Sequence, residues 1–213
     1  MLKLLYKELR LAAHPNLFVF SAMGALVLVP AYPYGMVFIF GCLAPSFTFM
    51  YNRETNDIYY TALLPVRKRD VVTSKFLMLI TAHMAQIIIS LPFAFLRTLI
   101  LPDGNPAGIE ANVAYYGFGL IIYAVFDLVF TTQFFKTAHK VGKSFLVAII
   151  PATIIMIAME AIVHFPGFSW LDSIEPADLV KQLPILVFGI IAYISAIFAA
   201  YRISCERFEK VDL

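Results

Sequence analysis

Long apolar runs separated by short polar turns organise this chain. A bilayer core of ~30 Å takes ~20 residues of helix to cross. Lipid offers backbone groups no partners, so apolar runs of that length fold as helices. Six runs stand out: Leu17–Tyr32, Tyr34–Met50, Phe76–Leu96, Val113–Phe135, Ser144–His164 and Leu183–Tyr201. Pro45, Pro92 and Pro151 fall inside three of them and predict kinks. The last four runs are long enough to cross unaided. The first two are short, with only Pro30-Ala31-Tyr32-Pro33 between them. They fit either two short spans or a hairpin that does not fully cross, and in both cases the chain returns to its starting side.

Cations collect in alternate loops. Lys3, Lys7 and Arg10 precede the first run. Arg53, Arg67, Lys68, Arg69 and Lys75 follow the second, Lys136, Lys140 and Lys143 the fourth, and Arg202, Arg207 and Lys210 the last. The opposite side has Arg97 and Lys181, with Asp103, Glu110, Asp172, Glu175 and Asp178. An excess of Lys and Arg in short loops marks the cytoplasmic face. The expected fold class is therefore all-α: a polytopic membrane protein of about six transmembrane helices, with cytoplasmic N- and C-termini. Residues 1–213 read as a single transmembrane domain. Spans 1–2 lie in 17–50, a cytoplasmic loop in 51–75, spans 3–4 in 76–135, spans 5–6 in 144–201 and a cytoplasmic tail in 202–213. Within residues 1–14, Leu2, Leu5, Tyr6, Leu9, Ala12 and Ala13 recur at helical spacing, while Lys3, Lys7, Arg10 and His14 take another face. This predicts a basic amphipathic helix lying along the inner membrane surface, broken from the first span at Pro15.

Composition agrees. Of 213 residues, 61% are hydrophobic and 14% charged, with mean hydropathy +0.83. Soluble domains carry roughly 45–50% apolar and about 25% charged residues. The net charge of +2 gives no support to a nucleic-acid partner. Cys42 and Cys205 form no disulfide framework, and no zinc-type Cys/His spacing occurs. No small-x-small cleavage site follows the first run, so the N-terminal segment is expected to be retained.

The loop at residues 51–75 is too long to be a mere turn. Ile58, Ala62 and Leu63 suggest one side of a short helix. Thr55 or Asn56 is placed to cap its start, and Pro65 to end it. Asp70 is placed to cap the helix that becomes the third span. A helix across the cytoplasmic end of a bundle works as a lever, whereas a solvated basic loop would only fix topology. The run Tyr59-Tyr60-Thr61-Ala62-Leu63-Leu64-Pro65-Val66-Arg67-Lys68-Arg69-Asp70-Val71-Val72, followed by Lys75-Phe76-Leu77, resembles the loop between spans two and three of small ABC-2-type transporter permeases. The opening Leu4-Leu5-Tyr6-Lys7-Glu8-Leu9 and the tail Cys205–Leu213 are similar to that family as well. The resemblance implies an exporter built from two permeases and two ATP-binding subunits in a bacterial cell membrane. It makes residues 1–14 a connecting helix and 54–64 a coupling helix. Glu54, Asn56, Asp57, Ile58, Tyr59, Tyr60, Leu63 and Leu64 would then meet a cytosolic ABC ATP-binding subunit. A second permease, either a copy of this chain or a homologue, and membrane lipid would be the other partners.

The chain lacks chemistry of its own. Gly142-Lys143-Ser144 copies the end of a phosphate-binding loop, but Thr137 stands where the first glycine belongs and the preceding segment is an apolar helix. No G-x-S-x-G or H-E-x-x-H motif occurs, so catalysis, cofactor and metal are not expected. Ionisable groups inside spans are functional candidates by default. His83, Gln86, Asp127 and Glu160 are the four candidates. His83 and Asp127 each lie ~12–14 Å from the inner boundary at ~1.5 Å per residue, and Gln86 shares the face of His83. The pattern fits a polar patch lining a path or inner gate, and equally hydrogen bonding that holds the bundle together. Glu160 and His164, four apart, are placed to pair with each other or with Arg97. Trp170 fits the aromatic belt at the headgroup level. The competing reading is a substrate-binding membrane component of an energy-coupled importer, which also takes about six spans. The basic second loop and the surface helix favour the permease.

Overall fold

The computed structural model describes residues 2–100 and 104–211. Asp103 of the outer loop and Asp212 and Leu213 of the tail lie outside the described residues, as do the side chains of Leu2 and Ala62. The described residues form helices and loops only.

Helix α1 (Leu2–Lys7) widens into a π-helical stretch at Glu8–Ala12. The chain then bends by 95° into α2 (Asn16–Ala22), which tightens into a 3-10 segment at Met23–Leu28. The proline at the bend has no N–H to continue the first helix. The first apolar run thus ends its helix at Leu28, before Tyr32. At 1.5 Å per α residue and 2.0 Å per 3-10 residue, α2 with its extension covers roughly 22 Å. That is short of the ~30 Å bilayer core, and the chain turns back through Ala31, whose φ is 56°. This segment is not a stray hairpin but presses on the third span. A Cβ on Gly24 would sit 2.5 Å from the Gln86 carbonyl oxygen.

Among the described residues, five helices are long and apolar enough to cross a membrane, and the number is six when the bent α1–α2 pair is counted as one span. The five are α3 (Gly35–Glu54), α5 (Lys68–Ile100), α6 (Val113–Phe134), α7 (Val141–Ile162) and α8 (Pro176–Glu209). The short α4 (Asp57–Ala62) joins α3 to α5. Pro45, Pro92 and Pro151 sit inside α3, α5 and α7 without ending them. Helices α5 and α8 overrun the apolar windows Phe76–Leu96 and Leu183–Tyr201 at both ends. Pro176, tolerated at the first turn, starts α8. Asn112 caps α6 by accepting the Tyr115 N–H at 3.1 Å.

Helices α3 and α6 are the most buried, and α7 and α8 the most exposed. Phe38 packs on Tyr115 and Tyr123, and Phe49 on Phe130 and Phe134, all between α3 and α6. The backbones of α6 and α8 meet at glycines: a Cβ on Gly189 would lie 2.3 Å from the Gly117 carbonyl oxygen. The outward faces of α7 and α8 carry Ile150, Ile154, Ile157, Phe188, Ile191 and Ile194 to the surface. That is a side-chain set suited to lipid rather than water.

The α1 helix, α4 and the C-terminal tail meet at one end of the bundle. Lys68 Nζ donates to the Val211 carbonyl at 2.7 Å, and Arg69 Nε lies 2.7 Å from Glu209 Oε1. The loops at 104–112 and 163–175 close the other end, where Asn112 Nδ2 donates to the Leu171 carbonyl at 2.7 Å.

Candidate functional site

Lys75 is the centre of the α1/α4 end. Counted from sequence among the loop cations, it is fully buried on the stripe of α5 that carries Val71, Met78, Leu79 and Ala82. A lysine on an apolar helical stripe needs its charge matched. Glu8 Oε2 lies 2.6 Å from its Nζ and Asp57 Oδ2 lies 2.7 Å away. Lys7 Nζ reaches the other Asp57 oxygen at 2.5 Å and donates to Thr61 Oγ1 at 2.9 Å. Ser74 Oγ donates to Glu8 Oε1 at 3.1 Å. Two carboxylates and two ammonium groups thus tie α1, α4 and α5 into one charge-balanced joint. Burial pushes the Asp57 carboxyl up, but Lys75 and Lys7 outweigh it and hold the group below the ordinary carboxylate range.

The joint corrects the picture of both short helices. Glu8 turns inward with Ala12, while Tyr6 and Leu11 point out. The apolar stripe expected on the first helix is therefore shifted, because the charge of Lys75 draws in Glu8. On α4 the inward residues are Ile58 and Thr61, with Asp57 partly covered; Leu63 is 66% exposed rather than packed with Ile58. The coupling segment expected at 54–64 is helical only over Asp57–Ala62. Glu54 ends α3, 3.6 Å from Arg53. Asn56 stands at the cap position but makes no capping bond; its φ of 52° supplies the left-handed turn between α3 and α4, a conformation asparagine tolerates. Thr55 Oγ1 donates back to the Tyr51 carbonyl instead of capping. Asp70 is the third residue of α5, and its carboxylate accepts the Arg67 N–H at 3.1 Å, the reaching-back half of a capping box. Tyr59, Tyr60, Leu63 and Leu64 are left together as an exposed aromatic and aliphatic ridge, Tyr60 at 63%.

The intramembrane residues form one cluster, except Glu160. The depth match of His83 and Asp127 is a contact, with Nδ1 3.2 Å from Oδ2. The His83 ring stacks on Tyr123 with centroids 3.8 Å apart, and the Tyr193 hydroxyl is 3.5 Å from Nδ1. Gln86 accepts the Tyr123 hydroxyl and donates to the carbonyls of Val37 at 2.7 Å and Phe20 at 3.2 Å. Elements α2, α3, α5, α6 and α8 therefore converge on these side chains. All four of His83, Gln86, Tyr123 and Asp127 are buried.

Glu160 sits apart, at the other end. It pairs with neither Arg97 nor His164 as a hydrogen-bond partner. It accepts the backbone N–H groups of Gly35, at the start of α3, and of Ile109. Glycines make this possible: a Cβ on Gly108 would fall 1.6 Å from Glu160 Oε2. Arg97 pairs with Glu110 at 2.7 Å and lies over the Tyr34 ring at 5.4 Å. Burial pushes the carboxyls of Glu110 and Asp172 up, against the partial relief that Arg97 gives the first and the Glu110 N–H gives the second.

Sequence reasoning missed Glu8, Lys7 and Lys75 as a unit. The signal was present in part: Lys75 interrupts an apolar stripe, and Glu8 is the sole acid of the N-terminal helix. No group of three or more His, Cys, Asp or Glu among the described residues is placed to hold a metal.

Fold and site define a polytopic α-helical membrane protein with a short helix, α4, ion-paired to the bundle at one end. The chain belongs to the ABC-2 family transporter proteins, whose family model matches residues 3–209. It is thus an ABC transporter permease, the membrane component that in this family works with an ATP-binding partner and is generally not catalytic. Comparison with curated proteins and with solved structures found no match.

Proposed function

We propose that this chain is the permease of an exporter in a bacterial cell membrane, driven by alternating access from a separate cytosolic ATP-binding subunit. Both chain ends and α4 lie on the cytoplasmic side in this reading. Helix α4 is the segment that takes the push, and the Glu8–Lys75–Asp57 joint passes it to α5 and α1. The supporting observation is that α4 presents two faces of opposite character. Its inner face is tied to Lys75 by a buried ion pair, and its outer ridge of Tyr59, Tyr60, Leu63 and Leu64 is left exposed among the described residues. An exposed apolar patch of this kind marks an interaction site. The assembly contains a second permease, and peptides, hydrophobic drugs or lipids are the cargo classes in keeping with this reading. The His83–Asp127 cluster joins the helices that rock. Tyr59→Asp combined with Leu63→Asp should abolish coupling of ATP hydrolysis to transport while the bundle stays folded. Coupled transport at the normal rate in that variant would refute the lever role.

A further inference from the structure

We infer that the turn between α6 and α7 holds the phosphate headgroup of an anionic phospholipid. A cavity of about 140 Å³ there is lined by Lys136, Lys140 and Lys143 together with Gln133, Thr137 and Ser144. Three lysines line it, and among the described residues none of their ammonium groups makes an ion pair or hydrogen bond. Most other cations at this end are already engaged: Lys7 and Lys75 with Asp57, Arg67 with Asp70, Arg69 with Glu209, and Lys68 and Arg207 with backbone carbonyls. A role limited to fixing topology demands only that lysines lie on this side; it does not gather unpaired ones around a recess.

The local helix sharpens the point. Helix α7 begins at Val141 with Lys140 in the cap position, no side-chain cap and no acid in its first turn. A helix start carries partial positive charge and favours anions. Here it carries Lys140 and Lys143 instead, and among the described residues no acid pairs with them to balance the charge at this spot. Basic recesses between membrane helices suit lipid headgroups. Beyond the recess, Val147, Ile150 and Ile154 are exposed at helical spacing along α7. That strip offers acyl chains a track, which a free phosphate would not use, and so favours lipid as the source.

The test places the full-length protein in nanodiscs of phosphatidylcholine with or without phosphatidylglycerol and measures reductive methylation of each lysine. Lys136, Lys140 and Lys143 should label several-fold more slowly in the phosphatidylglycerol discs, relative to Lys3 and Lys210. Equal slowing of all five, or none, overturns the site. Inorganic phosphate added to phosphatidylcholine discs is the second arm. Protection by phosphate equal to that by the lipid overturns the lipid assignment. In native mass spectrometry, Lys136→Gln/Lys140→Gln/Lys143→Gln should retain several-fold less phosphatidylglycerol than Lys3→Gln/Lys210→Gln; equal retention also overturns it. The wild-type labelling decides the matter if the triple variant does not fold.

Discussion

Lys75 Nζ sits 2.6 Å from Glu8 Oε2, and neither side chain is exposed. The two residues are 67 positions apart in sequence, so this pair fastens the N-terminal helix to the third span. Removing Lys75 leaves the buried Glu8 carboxylate with Lys7 alone, at 3.2 Å, a loss approaching the about 3–5 kcal/mol of a broken buried pair, whereas removing both Lys75 and the Glu8 charge costs far less. Lys75→Met should therefore lower the unfolding midpoint in detergent by more than the double variant Glu8→Gln/Lys75→Met. Thermal melts of the two proteins and of Glu8→Gln complete the cycle. Additive effects would show that the pair is not coupled.

The two ends of the bundle should answer pH in opposite senses. Asp57 is held below its ordinary range, so its contribution is in full force above the unfolded carboxyl pKa of about 3.9 and is lost only as pH falls below it. Glu110 and Asp172 are raised, so the folded state binds their protons more tightly than the unfolded chain does. Stability at that end falls as pH rises through the raised values. Hydrogen exchange at pH 5 and pH 7, corrected for intrinsic rates, should show residues 104–112 better protected at pH 5 and residues 57–62 unchanged. Asp172→Asn should reduce the difference at 104–112.

Glycines separate packing from propensity. At Gly189 a Cβ would strike the Gly117 backbone, and backbone cannot swing aside. Gly189→Ala should cost about 1–3 kcal/mol as an overpacked contact and loosen α8 from α6. Gly142, in the first turn of α7, has nothing within 4 Å of its built Cβ. Gly142→Ala should be neutral or stabilise by up to ~1 kcal/mol, since alanine is the better helix former. Melting temperatures of the two variants check both signs.

How much of this was legible in the sequence depends on the range of the physics involved. Long apolar runs placed α3, α5, α6 and α7 well, because lipid makes helix the answer wherever ~20 apolar residues are continuous. The overruns of α5 and α8 were not visible, since Lys68 donates to the Glu209 carbonyl and Arg69 to the Glu209 carboxylate only once the two helices are adjacent. The depth of His83 and Asp127 followed from helical rise alone, and their contact agrees with it. Partners chosen by distant backbone were beyond reach. Glu160 takes the N–H groups of Gly35 and Ile109, which only folding brings to it. Spacing put Ile58 and Leu63 on one side of α4, but the inward direction of the helix is set by Asp57 meeting Lys75, which buries Ile58 and leaves Leu63 exposed.

Asp127 offers the sharpest test of whether the buried cluster acts in transport or only holds helices. Asp127→Asn preserves shape but replaces the carboxyl group facing His83 with an amide. Polar contacts inside membrane bundles are worth on average ~0.6 kcal/mol and at most about 1.7 kcal/mol. The variant should therefore fold, assemble and bind its ATP-binding partner much as the parent does. If the cluster is part of the moving path, transport should drop on the order of tenfold, since 1.4 kcal/mol added to a rocking barrier has that effect. The measurement is transport by the reconstituted complex alongside its melting temperature and partner affinity. Full transport with a lowered melting temperature would leave Asp127 as a purely structural group.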